Sequence, residues 1–227
     1  EIREAARRNQ LIHLDYEFGR GCSLRCWYCF RSEDERDAED RSPMQFETWE
    51  NVLDQACELG LKSIKLLGQG ELTENKKFFQ AIEAIQKRGV TPLLFTAAHV
   101  MGNDRLCKKI HGMNGEQFCK RLYELGASVM VKVNSFDPTV QDRIVGRIEY
   151  TEKRNLGLER LLKAGFAKHN PTRLGLEVAM MNTDKDELED IYNLKFLLNV
   201  YIDLDPFMPC GLTKHPDKLD FELSMAD

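Results

Sequence analysis

The sequence predicts an α/β fold, a partial (β/α)6 barrel of parallel strands with outer helices. Three observations predict it: short apolar runs alternate with segments of helical periodicity, six such units follow one another, and the turns between them are short. Six units are too few to close an eight-stranded barrel but enough to make an open one; a doubly wound open sheet is the competing architecture. At 227 residues, 42% hydrophobic and 30% charged, the chain can bury one such core, and it is read as a single domain over 1–227.

Residues 1–10 form a charged lead-in. "LIHLDYEF", residues 11–18, reads as the first strand, and Gly19 and Gly21 supply a turn just past it. "SEDERDAEDR" is a solvated connector, and "SPMQFETWENVLDQACELG" is a helix, with Phe46, Trp49, Leu53, Ala56 and Cys57 at helical spacing and Gly60 as its stop. Strands then fall at 62–68, 90–98, 128–135, 172–182 and 200–209, and helices at 75–89, 116–126, 154–165 and 184–199. Residues 210–227 form a C-terminal tail. In either architecture the chemistry belongs at the carboxyl ends of the strands.

The net charge of −5 gives no global basic footprint, so a nucleic-acid polymer is disfavoured as a partner. No apolar run is long enough to cross a bilayer and no secretory signal is present, so a cytoplasmic location is expected. Seven cysteines, an odd number, fit a reducing compartment better than a disulfide framework.

Three of those cysteines, Cys22, Cys26 and Cys29, crowd into "CSLRCWYC" directly after the first strand. A structural zinc site usually takes four ligands, and here only Cys26 and Cys29 make a Cys-x-x-Cys pair. A cubane iron-sulfur cluster normally takes four thiolates, so three on one loop leave one iron open to a small molecule. The spacing resembles the Cys-x3-Cys-x2-Cys motif of the radical S-adenosylmethionine (SAM) superfamily, with Tyr28 as the aromatic residue before the last cysteine. The later segments resemble its peptide- and cofactor-modifying, SPASM- and twitch-related branches.

The resemblance implies that Cys22, Cys26 and Cys29 bind a 4Fe-4S cluster whose open iron is chelated by SAM, with Tyr28 near the adenine. It implies reductive cleavage of SAM to a 5'-deoxyadenosyl radical that abstracts hydrogen from substrate, with an external flavodoxin- or ferredoxin-like one-electron donor. "GQGEL" resembles the superfamily's Gly-Gly-Glu-Pro segment, with Leu72 in place of proline, and implicates Gly68, Gly70 and Glu71 in holding the methionine amino group. Thr96 stands where relatives carry Thr-Asn-Gly. In "KVNSFDPTVQDRIVGR" the resemblance assigns Ser135 to the ribose, with Asn134 beside it, and Arg143 or Arg147 to the carboxylate; these polar residues equally fit a solvated turn. Glu177 would lie beside adenine, or serve as a partly buried, paired carboxylate.

Arg20, Arg25 and Arg31 flank the thiols, either offsetting cluster charge or as surface cations. Cys57 and Cys119 read as core residues. Cys107 and His111 are spaced to share a helical face as metal ligands, but the surrounding lysines and glycines point to a mobile loop. The long segment 98–115, with His99 and His111, is expected either to border the substrate cavity or to be a disordered surface loop. Cys210 would be an auxiliary-cluster ligand only with partners that the sequence lacks. Peptide, nucleotide, sugar and small-molecule substrates all stay open. The alternative function is a noncatalytic iron-sulfur or zinc module in electron transfer or assembly.

Overall fold

The computed structural model describes residues 2–19, 21–31, 45–68, 70–181 and 185–207, without the side chains at 185 and 186. Its six strands are β1 (His13–Glu17), β2 (Ser63–Leu67), β3 (Thr91–Thr96), β4 (Ser128–Lys132), β5 (Leu174–Met180) and β6 (Tyr201–Pro206). They form one sheet in the order β1-β2-β3-β4-β5-β6, every pair parallel. That order never reverses. A doubly wound sheet reverses at a switch point, so the chain winds one way, as a partial barrel does.

The helices are α1 (Ile2–Arg7), α2 (Phe46–Glu58), α3 (Phe78–Lys87), α4 (Asp104–His111), α5 (Gly115–Glu124), α6 (Pro138–Val145), α7 (Tyr150–Ala164) and α8 (Lys185–Leu198). Strand side chains alternate between two faces. Ile64, Leu66, Leu94, Val129, Val131, Leu174, Leu176 and Val178 take one face and pack with Trp49, Leu53, Ile82, Ile85, Phe118 and Leu161 from the helices in a continuous buried core. The opposite face is mixed and carries the charged residues: Asp15, Lys65, Lys132, Glu177 and Asp203 fall there by alternation, among Leu93, Phe95 and Met130. Lys65 binds Asp15 at 2.7 Å and lies 5.7 Å from the Phe95 ring, while Lys132 binds Glu177 at 3.4 Å.

Most strand ends fall one to three residues inside their apolar runs, while β4 starts where its run does. Three helices were not anticipated. In α1 only Ala5 is buried, so no apolar stripe betrays it. In α6 the Asp137 carboxylate accepts from Thr139 N at 2.7 Å and Pro138 opens the first turn, so the segment read as a solvated turn begins a helix.

In α4 the Asn103 side chain accepts from Leu106 N at 3.1 Å and Gly112, at φ +73°, ends the helix. This corrects the expectation of a mobile or disordered loop over 98–115. Ala98, His99, Val100, Met101 and Cys107 are all at or below 1% exposure, and the segment lies backbone to backbone against α7. A Cβ on Gly157 would stand 2.3 Å from Ala98 O, and one on Gly102 1.7 Å from Lys153 O.

Cys107 and His111 are likewise core residues. The His111 Nε2 atom meets Thr73 O at 2.7 Å with its ring against Phe78, Phe79 and Phe118, and burial pushes the Cys107 thiol up to about 11. Cys119 is fully buried and Cys57 packs on the same core. The charged connector at 32–41, Arg20 and Cys210 lie outside the described residues.

Candidate active site at the cysteine loop

The three thiols follow β1 at the carboxyl edge of the sheet, and none of them is in a disulfide. Their loop is held mainly through its backbone. Arg25 N donates to Val145 O at 2.9 Å and Trp27 N to Ile144 O at 3.1 Å, so the last turn of α6 supplies the anchor. Gly146 ends α6 at φ +63°, with Arg25 O only 2.9 Å from where a Cβ would stand. Gly21 O accepts from Glu71 N at 2.9 Å, and a Cβ on Gly68 would come within 3.1 Å of Gly19 O, which fixes the glycine-bearing loop after β2 to the same segment. Gly70 lies in that loop. The guanidinium of Arg25 donates to the carbonyls of Cys22 and Leu24, and Arg31 is buried.

Cys22 and Cys26 pack with Trp27 and Tyr28 around Leu24, Ala97, Ile144, Val145, Tyr150 and Met181, a small apolar cluster separate from the main core. Burial pushes the Cys22 thiol up to about 12, and the carboxylates of Glu71 and Glu74 add to the effect. A thiol in such surroundings becomes a thiolate only when a metal cation replaces its proton. Among the described residues, no three His, Cys, Asp or Glu side chains converge on a single ion. The donors are spread along a loop, as a multi-iron cluster requires when each thiolate serves its own iron.

The remaining predicted residues fall into three groups. Glu71 and Thr96 bond to each other: the Glu71 carboxylate, 6% exposed, accepts from Thr96 Oγ1 at 2.6 Å, Ala97 N at 2.7 Å, and both Thr73 N and its hydroxyl. It ties the loop after β2 to the end of β3.

Asn134 and Ser135, at the end of β4, form a second group. Their backbone N–H groups both donate to Gln141 Oε1 at 2.9 Å, and Ser135 Oγ accepts from Asp137 N. Asn134 Oδ1 accepts from Ala179 N at 3.3 Å, whereas its Nδ2 is buried without a partner. Glu177 has one oxygen near Lys132 and the other buried and unbonded, and burial raises its carboxyl above the ordinary value. Burial likewise raises the Tyr28 phenol well above its ordinary value, with Cys26, Tyr150 and Glu177 among the charges that act on it.

The two arginines differ. Arg147 donates to Ser23 Oγ in the cysteine loop. Arg143 is exposed on α6 and makes no ion pair among the described residues.

Two features escaped the sequence reading. Arg154, on α7, is 0% exposed; it donates to Ser135 O at 2.8 Å and Gln141 Oε1 at 3.4 Å and stacks 4.9 Å from the Phe136 ring. No carboxylate lies within ion-pair distance of it among the described residues, although the more distant Glu187 and Asp142 carboxylates act on it along with Tyr150 and Tyr28. In sequence it was one more cation on an amphipathic helix.

Glu74 is the second. Its carboxylate accepts from Ser23 N at 2.9 Å, from the Ser23 hydroxyl, and from His99 Nε2 at 2.8 Å. Burial raises the Glu74 carboxyl, but the hydrogen bonds from His99 and Ser23 outweigh it and hold the group below its ordinary value. The only sequence signal was a second carboxylate three residues after Glu71.

Residues 16–194 match the profile of the Radical SAM superfamily. A curated relative, the GTP 3',8-cyclase of Petrotoga mobilis, is 22% identical over 193 residues, spanning 85% of this chain and 54% of that protein. Among solved structures, SuiB of Streptococcus suis bound to its precursor peptide SuiA superposes with a TM-score of 0.65 at 15% identity, covering 89% of this chain and 42% of SuiB. SuiB bound to S-adenosylmethionine superposes with a TM-score of 0.60 at 14% identity, covering 99% and 56%. The chain thus spans about half the length of the curated relative, and the structural likeness shows the fold.

Proposed function

The chain belongs to the Radical SAM superfamily, and we propose from this that it reductively cleaves SAM at a 4Fe-4S cluster on Cys22, Cys26 and Cys29 and abstracts hydrogen from a bound substrate. Cluster and SAM together supply the 5'-deoxyadenosyl radical, with the electron from a flavodoxin- or ferredoxin-like donor. The observation that carries the reading is the loop of three cysteines outside any disulfide at the carboxyl edge of a one-way parallel sheet, bonded to the loop after β2 through Gly21 and Glu71.

The chain's own residues have these roles in the proposal. Gly68 and Gly70 let SAM approach the backbone, and Glu71, fully engaged with Thr96 and Thr73, keeps that loop in position. Tyr28 flanks the adenine. Ser135 and Asn134, presented by Gln141, meet the ribose, with Asn134 Nδ2 and the free oxygen of Glu177 as buried groups that a polar ligand would satisfy. For the SAM carboxylate, the buried Arg154 is better suited than exposed Arg143 or the engaged Arg147. It is a desolvated cation beside Ser135 with no carboxylate at ion-pair distance among the described residues.

The substrate would lie over the inner face of the sheet. There Asp15, Glu17, Glu177, Asp203 and Asp205 outnumber Lys65 and Lys132, and both lysines are already paired. Asp203 and Asp205 bond to nothing among the described residues, and burial raises the Asp203 carboxyl. This surplus of carboxylates suits an amine-bearing substrate, a basic peptide or a small amine, and opposes a nucleoside triphosphate.

Anaerobic reconstitution tests the first step. A cluster whose electron paramagnetic resonance spectrum changes on adding SAM, with 5'-deoxyadenosine formed under reduction, supports the enzyme; a colourless zinc protein refutes it. Deuterium transfer into 5'-deoxyadenosine from labelled amines and basic peptides, with GTP as the contrast, tests the substrate class.

A further inference from the structure

Loops from four successive strands meet at one serine. Ser23 follows Cys22 after β1; Glu74 follows β2 in the short turn Leu72–Glu74; His99 follows β3; Arg147 follows α6, beyond β4. The Glu74 carboxylate takes both the backbone N–H and the hydroxyl of Ser23, and Arg147 donates to that hydroxyl from the other side. His99, 1% exposed, stands behind Glu74 with its Nε2 at 2.8 Å, and its ring is 6.0 Å from that of Tyr150. Tyr150 in turn donates to Ala97 O at 3.1 Å and packs in the apolar cluster around Cys22 and Cys26.

An exposed serine hydroxyl has little reason to be held by two other loops, one of them braced by a third, unless its own position matters. Its neighbour in the chain is the first cluster ligand of the proposed function, on which this inference rests. The N–H of the residue after a ligating cysteine commonly lies close enough to a cluster to influence it, and here that N–H is given to a carboxylate.

We propose that Glu74, backed by His99, is a positioning residue for the cluster: through Ser23 it fixes the backbone that presents Cys22, and it keeps a negative charge beside that ligand. The first effect slows cluster loss. The second disfavours the added electron, so the cluster is a stronger reductant.

The test measures anaerobic iron release to a ferrous chelator, and the midpoint potential by EPR-monitored titration, in reconstituted wild type, E74Q, E74D, S23A and S23T. E74Q is expected to release iron about 10-fold faster, the usual scale for an outer-shell partner, and to shift the potential positive. E74D, which keeps the charge, should return the potential towards wild type. Ser23 is exposed, so S23A leaves the fold intact; it should also release iron several-fold faster, and S23T should restore the rate.

Wild-type release and potential in E74Q overturn the inference. If E74Q fails to fold, equal release from S23A, S23T and wild type overturns it. Failure of the underlying reading looks different, since wild type itself would then hold no iron cluster.

Discussion

Replacing Arg154 with methionine separates a residue kept for the fold from one kept for a ligand. In the folded chain the guanidinium is fully buried with no carboxylate partner among the described residues. On the debit side, R154M loses the 2.8 Å bond to Ser135 O, worth about 1.5–3 kcal/mol for a charged donor. It also loses a part-buried 2.8 Å bond to Asn155 Oδ1 of about 1 kcal/mol, a weak 3.4 Å contact to Gln141 and a stack on Phe136 of about 1–2 kcal/mol. Against this, desolvating an unpaired cation costs several kcal/mol, which methionine of similar length avoids.

The two sides nearly cancel, so thermal unfolding of R154M should stay within about 5 °C of wild type, since ~1 kcal/mol shifts a domain of this size by about 2–4 °C. SAM binding has no such compensation. Losing one charged hydrogen bond of about 1.5–3 kcal/mol should weaken it on the order of 10- to 100-fold. Calorimetric titration of SAM into the reconstituted protein, alongside thermal melts, reads both quantities. A stable R154M that binds SAM as wild type does would refute the assignment, and so would an R154M that melts far lower, because the cation would then serve the fold.

Serine at any one of Cys22, Cys26 or Cys29 should abolish the visible absorbance and lower the bound iron of reconstituted protein, whereas C57S and C119S should keep both; iron and sulfide analysis checks this. Gly157→Ala puts a methyl 2.3 Å from the Ala98 carbonyl, forcing α7 off the loop after β3, and should destabilise by about 1–3 kcal/mol in urea unfolding.

Glu177 gives a pH signature. Its carboxyl is raised from the ordinary 4.5, chiefly by burial, so the folded state holds the proton more tightly than the unfolded one. That contribution to stability is complete below the unfolded value and is lost as pH rises through the folded one. E177Q should therefore melt higher than wild type at pH 8, and the gain should vanish near pH 4. A gain independent of pH would contradict it.

The parts of this molecule legible in the sequence are those whose cause is local and periodic. Strands such as Leu174–Met180 announce themselves by a short, mostly apolar run whose core-facing residues are buried, and α3 does so because six of its ten residues are buried. Helix α4 is short and charged, with a stripe of only Leu106, Cys107 and Ile110, and its caps at Asn103 and Gly112 delimit it.

The site divides in the same way. Cysteine spacing within eight residues is local information and survives in one dimension. The partners that hold those cysteines come from elsewhere: Ser23 meets Glu74 across 51 positions and Arg147 across 124. A lone Glu74, His99 or Arg154 in sequence looks like any solvated charge. Only the one-way winding of the sheet, which returns each strand end to the same edge, makes them neighbours of the thiols. The same winding sets the inner face apart. Its carboxylates are dispersed over β1, β5 and β6 and give no charge run to notice, yet the curl of the sheet brings Asp203 close enough to Lys65 for each to feel the other. If these carboxylates select the substrate as proposed, that selection rests on strand parity: moving Asp203 and Asp205 one position along β6 would turn both towards the helices and take their carboxylates from the inner face.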